Sequence, residues 1–233
     1  MKINYPLLEA TFIDRPNRFI TRVKLNGIII NSHLPDPGRL TELLVPGAKL
    51  LLKKEQGKNR KTSFSTQAVY HNGILISLNT LLPNKYVEYL LINNKLDFLK
   101  NWTILKKEVV YNNHRFDFKL QNQTNKLILE IKSVSLVENS IAKFPDSITL
   151  RGKKHVEMLG KLSENGEKTM VLFVIQRSDA KQFEPHWNID PKFSNSLYES
   201  WNKGMEVKVI NMKMTKNKIY YKGEIPFNLN KTL

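Results

Sequence analysis

The chain has 233 residues, 41% of them hydrophobic and 25% charged, enough to bury a sizeable core in one large domain or two small ones. Its 37 Lys and Arg against 21 Asp and Glu leave a formal charge of +16, which makes polyanions the natural partners, nucleic acid before an anionic membrane. The absence of cysteine excludes disulfides, thiolate metal sites and a cysteine nucleophile, and the five histidines (His33, His71, His114, His155 and His186) show no zinc-ligand spacing. With neither a signal-peptide core nor an apolar run long enough to span a bilayer, a cytoplasmic protein with no membrane role is expected.

Residues 1–80 read as strands. LLEATFIDR, RFITRVKL and GIIINSHL come first, and the Asn26-Gly27 between the last two is a strong hairpin signal because both residues tolerate positive φ. HLPDPGRLTELLVPG follows, a sharp turn and a short helix at GRLTELL stopped by Pro46-Gly47. AKLLLKKE is a fourth strand, and TSFSTQAVY and ILISLN form another hairpin. Short strands with one small helix before the last hairpin predict a small OB-like barrel, a fold that commonly takes single strands or oligosaccharides on an open face. Arg15, Arg18, Arg22, Lys24, Arg39, Lys53, Lys54, Lys58, Arg60 and Lys61 supply either a phosphate-tracking groove, with Phe12, Phe19 or Phe64 to stack on bases, or an ordinary solvated surface over a packed core.

The break at Leu81 to Pro83 is the expected boundary, giving a second domain over 81–233. PNKYVEYLLINNKL is a helix with Val87, Leu90 and Leu91 at helical spacing and Glu88 beside that stripe. TILKKEVVY is a strand, and HRFDFKL and KLILEIK are two more, joined by a polar turn. Alternation puts Asp117 on the face opposite Phe116, Phe118 and Leu120, and puts Ile128, Glu130 and Lys132 on one face of the next strand. If the two strands pair, Asp117 and Glu130 converge on one hard cation, with the Lys132 ammonium roughly 7 Å further along that polar face. The other reading is a plain solvent-facing strand with a weak Glu130–Lys132 ion pair. SVSLVENSIAKFPDS reads as a loop, ITLRGKKHVEMLGKLSENG as a helix capped by Asp146 or Ser147, TMVLFVIQR as a strand buried on both faces, KFSNSLYESWNKG as a helix, and MEVKVINMK and IYYKG as closing strands.

Helix, three strands, helix, strand is the core order of the restriction-endonuclease-like PD-(D/E)XK nucleases. HLPDPGRL, EIKSVSL, FPDSITLRGKKH and the R-x-D-F of Arg115 to Phe118 resemble, in order, the signatures of the sugar fermentation stimulation protein A (SfsA) family, over about Thr11 to Lys222. The resemblance implies an α+β chain: an N-terminal OB-like β-barrel, then a restriction-endonuclease-like α/β domain with a central mixed sheet. It also implies DNA binding and an association with regulation of sugar-utilisation genes. By resemblance to nucleases of this class, Asp117 and Glu130 would hold Mg²⁺ or Mn²⁺, helped by the Ile131 backbone carbonyl and by Glu88, while Lys132 would orient water or steady charge on the phosphate. Arg151, Lys153 and Lys154, at the start of a helix, are phosphate-binding candidates, with Asp36, Arg39, Asp146, Thr149 and His155 as further candidates. No G-x-S-x-G, P-loop or G-x-G-x-x-G is present, so serine hydrolysis and nucleotide cofactors are not expected. Three functions stay open: a metal-dependent nuclease, a DNA-binding regulator of sugar metabolism genes that does not cut, and an oligosaccharide-binding barrel, which the positive charge disfavours.

Overall fold

In a computed structural model that describes residues 1–57 and 60–231, the chain divides into two compact units. The first comprises Met1–Leu82, Gln176–Asp179 and Asn211–Gly223, and the second Pro83–Ile175, Ala180–Ile210 and Glu224–Leu233. Lys58 lies outside the described residues.

The first unit opens with β1 (Leu7–Asn17), β2 (Ile20–Leu25), β3 (Ile28–His33), β4 (Lys49–Lys54), β5 (Phe64–His71) and β6 (Ile74–Ser77). β1 pairs with β2 and β4, β2 with β3, and β4 with β5, all antiparallel; β3 returns to β5 where His33 meets Ser65, closing a five-stranded barrel. Alternate positions of these strands fill it: Ala10, Phe12, Val23, Leu50, Leu52 and Val69 are buried with Leu34, Leu40, Leu43 and Ile76. Where β2, β3 and β5 meet, the buried hydroxyls of Thr21, Ser32 and Thr66 satisfy one another, with Thr21 Oγ1 2.9 Å from Thr66 Oγ1 and Thr66 Oγ1 donating to Ser32 Oγ at 3.0 Å.

The small helix expected at GRLTELL is absent. Leu40 takes a left-handed φ of 52°, the amides of Leu43 and Leu44 both return to its carbonyl, and a single turn results before Pro46 and Gly47. Arg15, which the sequence offered only as a surface charge, fixes this segment. Its guanidinium donates to the carbonyls of Gly38 at 2.6 Å, Arg39 at 2.8 Å, Arg18 at 2.7 Å and Asp36 at 3.0 Å, while the buried Asp36 carboxylate accepts from the Gly38 amide.

The second unit follows as α1 (Leu82–Ile92), β7 (Thr103–Tyr111), β8 (His114–Gln121), β9 (Lys126–Val134), β10 (Val137–Glu138), β11 (Ile141–Phe144), α2 (Leu150–Glu164), β12 (Lys168–Ile175), β13 (Gln182–Pro185), α3 (Pro191–Asn202) and the first part of β14 (Glu206–Met214). β7, β8 and β9 are antiparallel, β12 joins β9 in parallel, and β14 flanks β12, so the sheet is mixed. β12 reads as the sequence predicts, buried from Thr169 to Ile175. Phe116, Ile128, Val171 and Phe173 of the sheet pack with Val156 and Leu159 of α2 and Phe193 and Leu197 of α3. The segment SVSLVENSIAKFPDS is not all loop: it forms β10 and β11, and β11 pairs in parallel with β13 in a small separate sheet. Two-residue and four-residue strands carry too little alternation to stand out from a loop. Thr149, not Asp146 or Ser147, caps α2 by accepting from the Gly152 amide, and Asp190 Oδ2 holds the Thr149 amide at 2.8 Å.

A single cut after Thr80 does not describe these units. The strand that starts in the second unit as β14 ends in the first, where Met214 pairs with Leu75 of β6, and β15 (Ile219–Glu224) pairs with β14. Ser77 of β6 also donates its amide to the carbonyl of Gln176, just past β12. No helix among the described residues is long and apolar enough to cross a membrane.

Candidate metal and nucleic-acid site

The acidic pair forms where β8 and β9 stop pairing. Their register runs from Gln121↔Lys126 to Phe118↔Leu129, and one residue further the Asp117 side chain takes over from the backbone, its Oδ2 accepting from the Ile131 amide at 2.7 Å. Its Oδ1 accepts from Asn84 Nδ2 at 2.5 Å, contributed by the first turn of α1. Across the pair, Glu130 Oε1 accepts from Lys132 Nζ at 2.5 Å and faces His155 Nδ1 at 2.7 Å. A carboxylate facing Nδ1 places the proton there, leaving Nε2 as an acceptor in the neutral ring, and Arg151 Nε lies 3.5 Å from it. The buried Glu130 Oε2 has no hydrogen-bond partner among the described residues.

The alternative reading, a plain solvent-facing strand, does not hold. Leu127 through Ile131 are all buried, and Glu130 is only 4% exposed, because β9 is an interior strand between β8 and β12 with His155 of α2 over the carboxylate. Burial raises the electrostatic stakes. Burial first, and then the charge of Glu130, push Asp117 up to about 6, against the pull of the Ile131 amide, Lys132 and Asn84. Burial works on Glu130 as well, but Lys132 and His155 outweigh it and hold Glu130 below the usual carboxylate range. A half-buried and a buried carboxylate that still repel each other, one with an unused oxygen, are the donor set a hard oxygen-seeking cation fits. Among the described residues no group of three His, Cys, Asp or Glu side chains is placed to hold a metal, so backbone, water or substrate oxygens would complete any coordination shell.

Of the other sequence candidates, Glu88 pairs with Lys107 of β7, and Asn84, one turn earlier on α1, is the helix residue that touches Asp117. Nothing in the sequence marks Asn84, an ordinary polar residue early in a helix. Arg22 is engaged by Asp14, with Nε 2.8 Å from Oδ1. Lys153 is paired with Glu157, one turn on along α2. Arg18, Arg39, Arg60 and Lys61 are exposed in the first unit, and Arg151 and Lys154 are exposed on α2 in the second. Phe12 is core, Phe64 packs against it, and Phe19 is 54% exposed.

An OB barrel followed by a mixed-sheet α+β unit with a paired-acid strand end defines the class of protein. Family models agree: the one described as the SfsA N-terminal OB domain matches residues 13–78, and the one described as the sugar fermentation stimulation protein RE domain matches residues 81–218. Proteins named sugar fermentation stimulation protein homolog are 42% identical in Chloroflexus aurantiacus, over 87% of this chain and 78% of that one, and 39% identical in Clostridium botulinum, over 89% and 90%. The SfsA of Pyrococcus furiosus, solved in complex with Ca²⁺, matches with a TM-score of 0.91 at 26% identity, covering 98% of each chain. The chain belongs to the SfsA family.

Proposed function

We propose that this protein binds DNA and hydrolyses phosphodiesters with Mg²⁺ or Mn²⁺ held at Asp117 and Glu130, in the manner of PD-(D/E)XK nucleases. The observation that carries the reading is the Asp117–Glu130 pair itself: two acids brought together at a strand end, one pushed up to about 6 and the other left with an unused buried oxygen. The Ca²⁺ complex of the Pyrococcus furiosus relative supports a divalent ion in this family. The charge of +16 supports a polyanionic substrate.

Asp117, Glu130 and the Ile131 backbone carbonyl would be the protein ligands. A divalent ion there supplies neutralisation of charge on phosphate oxygens and a more acidic water. The protein's own groups do the rest. Asn84 and the Ile131 amide fix the Asp117 carboxylate from two sides, so it approaches an ion in one orientation. His155 and Lys132 together occupy Glu130 Oε1, which leaves Oε2 as the unused oxygen for an ion. Lys132, held beside both acids, is placed to stabilise negative charge gathering on the phosphate as it is attacked.

The test is to incubate purified protein with labelled single- and double-stranded DNA and RNA plus Mn²⁺, beside an Asp117→Ala control. Cleavage by the wild type that the control lacks is the expected result; equal activity in both, or none on any substrate, removes catalysis. Two observations favour a second reading, a DNA-binding regulator of sugar metabolism genes that does not cut: Lys132 is engaged on Glu130 itself, and no third acidic ligand accompanies the pair among the described residues. Metal-independent DNA binding, unimpaired in Asp117→Ala and without cleavage, would select it.

A further inference from the structure

His155, whose Nδ1 faces Glu130, also lines a concavity of about 700 Å³ between the β7–β8 hairpin and the start of α2. Arg115 and His114 line it from the hairpin, Arg151 and Lys154 from the helix, and no carboxylate does. Arg115 meets Glu108 at 3.7 Å, but both side chains are more than half exposed and such a pair binds weakly. Beyond its Nε contact to His155, Arg151 has no acceptor among the described residues, and Lys154 has neither a hydrogen bond nor an ion pair among them. Burial first, and then the neighbouring His155, Lys154 and Lys161, hold the His114 imidazole below its ordinary value.

Three permanent cations around one opening, with no acid in the lining, call for an anion. Two of them are guanidinium forks, whose paired donors match phosphate oxygens better than a point charge does. The volume takes a nucleotide-sized group. We propose that this concavity seats a phosphate group of the nucleic-acid strand whose neighbouring phosphodiester lies at Asp117 and Glu130; that the phosphate belongs to nucleic acid rests on the function proposed above. His155 touches both places, so a strand gripped at Arg151 and Lys154 is set in register with the acidic pair.

The test compares binding of a short thymidine oligomer, with and without a 5′-phosphate, in EDTA. The proteins are the wild type, Arg151→Ala/Lys154→Ala, and a control carrying the same charge loss elsewhere, Lys181→Ala/Lys192→Ala, all four positions being exposed. The pocket variant is expected to bind about 10-fold more weakly or worse, and its salt slope to flatten by about 0.7 for one lost phosphate contact on a single strand. The control should stay within about twofold of wild type, the scatter expected for exposed sites away from the interface. A loss confined to the 5′-phosphorylated oligomer identifies a terminal phosphate, and an equal loss with both identifies an internal one. Binding by the pocket variant equal to that of the control overturns the proposal. If the wild type binds neither the oligomer nor its duplex with a complementary strand, the nucleic-acid reading fails by itself, and pyrophosphate is titrated while the His114 and His155 imidazole NMR signals are followed. Shifts that vanish in the pocket variant uphold a phosphate seat without nucleic acid, and unmoved signals overturn it.

Discussion

Asp117 and Glu130 are equivalent in kind and opposite in behaviour, and the difference lies in who touches them. Glu130 has a lysine and a histidine on one oxygen and stays ionised; Asp117 has two neutral donors and a charged neighbour, and is pushed up to about 6. A carboxyl raised above its ordinary 3.8 binds its proton more tightly in the folded state, so its contribution to stability is fully present below that value and is lost as pH rises through about 6. In EDTA, the stability of Asp117→Asn relative to the wild type should therefore rise by at most about 3 kcal/mol between about pH 4 and pH 7.5, on top of a pH-independent cost because the new amide nitrogen faces one of the two N–H donors. A difference in melting temperature that does not change with pH over that range would show that the Asp117 carboxyl is not pushed up. His155→Phe keeps a ring against Phe116, 5.4 Å away, but removes the contact to Glu130. Mn²⁺ affinity by calorimetry should fall about 10- to 100-fold; wild-type affinity would reduce the imidazole to packing. At this scale the sequence told half the story. Asp117, Glu130 and Lys132 stand out by residue type and alternation and His155 as a further candidate in FPDSITLRGKKH, whereas the contact of His155 to Glu130 and the whole role of Asn84 arrive through helix packing that spacing along one strand cannot show.

Elements were legible where they are long. The strands that became β1 to β5 and β7 to β9, the buried β12 and the three helices follow from periodicity, because each carries enough residues to define a period, while the four-residue β6 is legible only as the second arm of its hairpin with β5. Two readings failed for local reasons. GRLTELL has helical composition, but a left-handed Leu40 and the approaching Pro46 leave room for one turn. KLILEIK reads as half-polar, yet pairing on both edges and cover from α2 bury it, so the acid sits inside rather than on a surface. The α2–α3 contact carries a prediction of its own. A Cβ at Gly160 would lie 2.7 Å from Ser200 Oγ and 3.0 Å from its Cα, too near for the helices to keep their spacing. Gly160→Ala should cost about 1–3 kcal/mol in urea unfolding despite alanine's better helix propensity. A gain in stability would mean that the helices part freely there.

Across the whole chain, the order of elements and signatures points to an OB barrel, a mixed-sheet unit and the SfsA family, and the family models and relatives agree. The one large-scale feature that sequence order hid is discontinuity: Asn211–Gly223 and Gln176–Asp179, late in the chain, complete the first unit. A linear reading places boundaries where composition changes, and β14 passes from one unit to the other without any change. The central claim is that the second unit gathers two acids around one divalent ion, and crystals soaked in Mn²⁺ test it most directly. The expected result is an anomalous peak between the Asp117 and Glu130 carboxylates that disappears in Asp117→Asn. Soaked crystals with no peak there, or with one bound elsewhere and indifferent to that substitution, would contradict it.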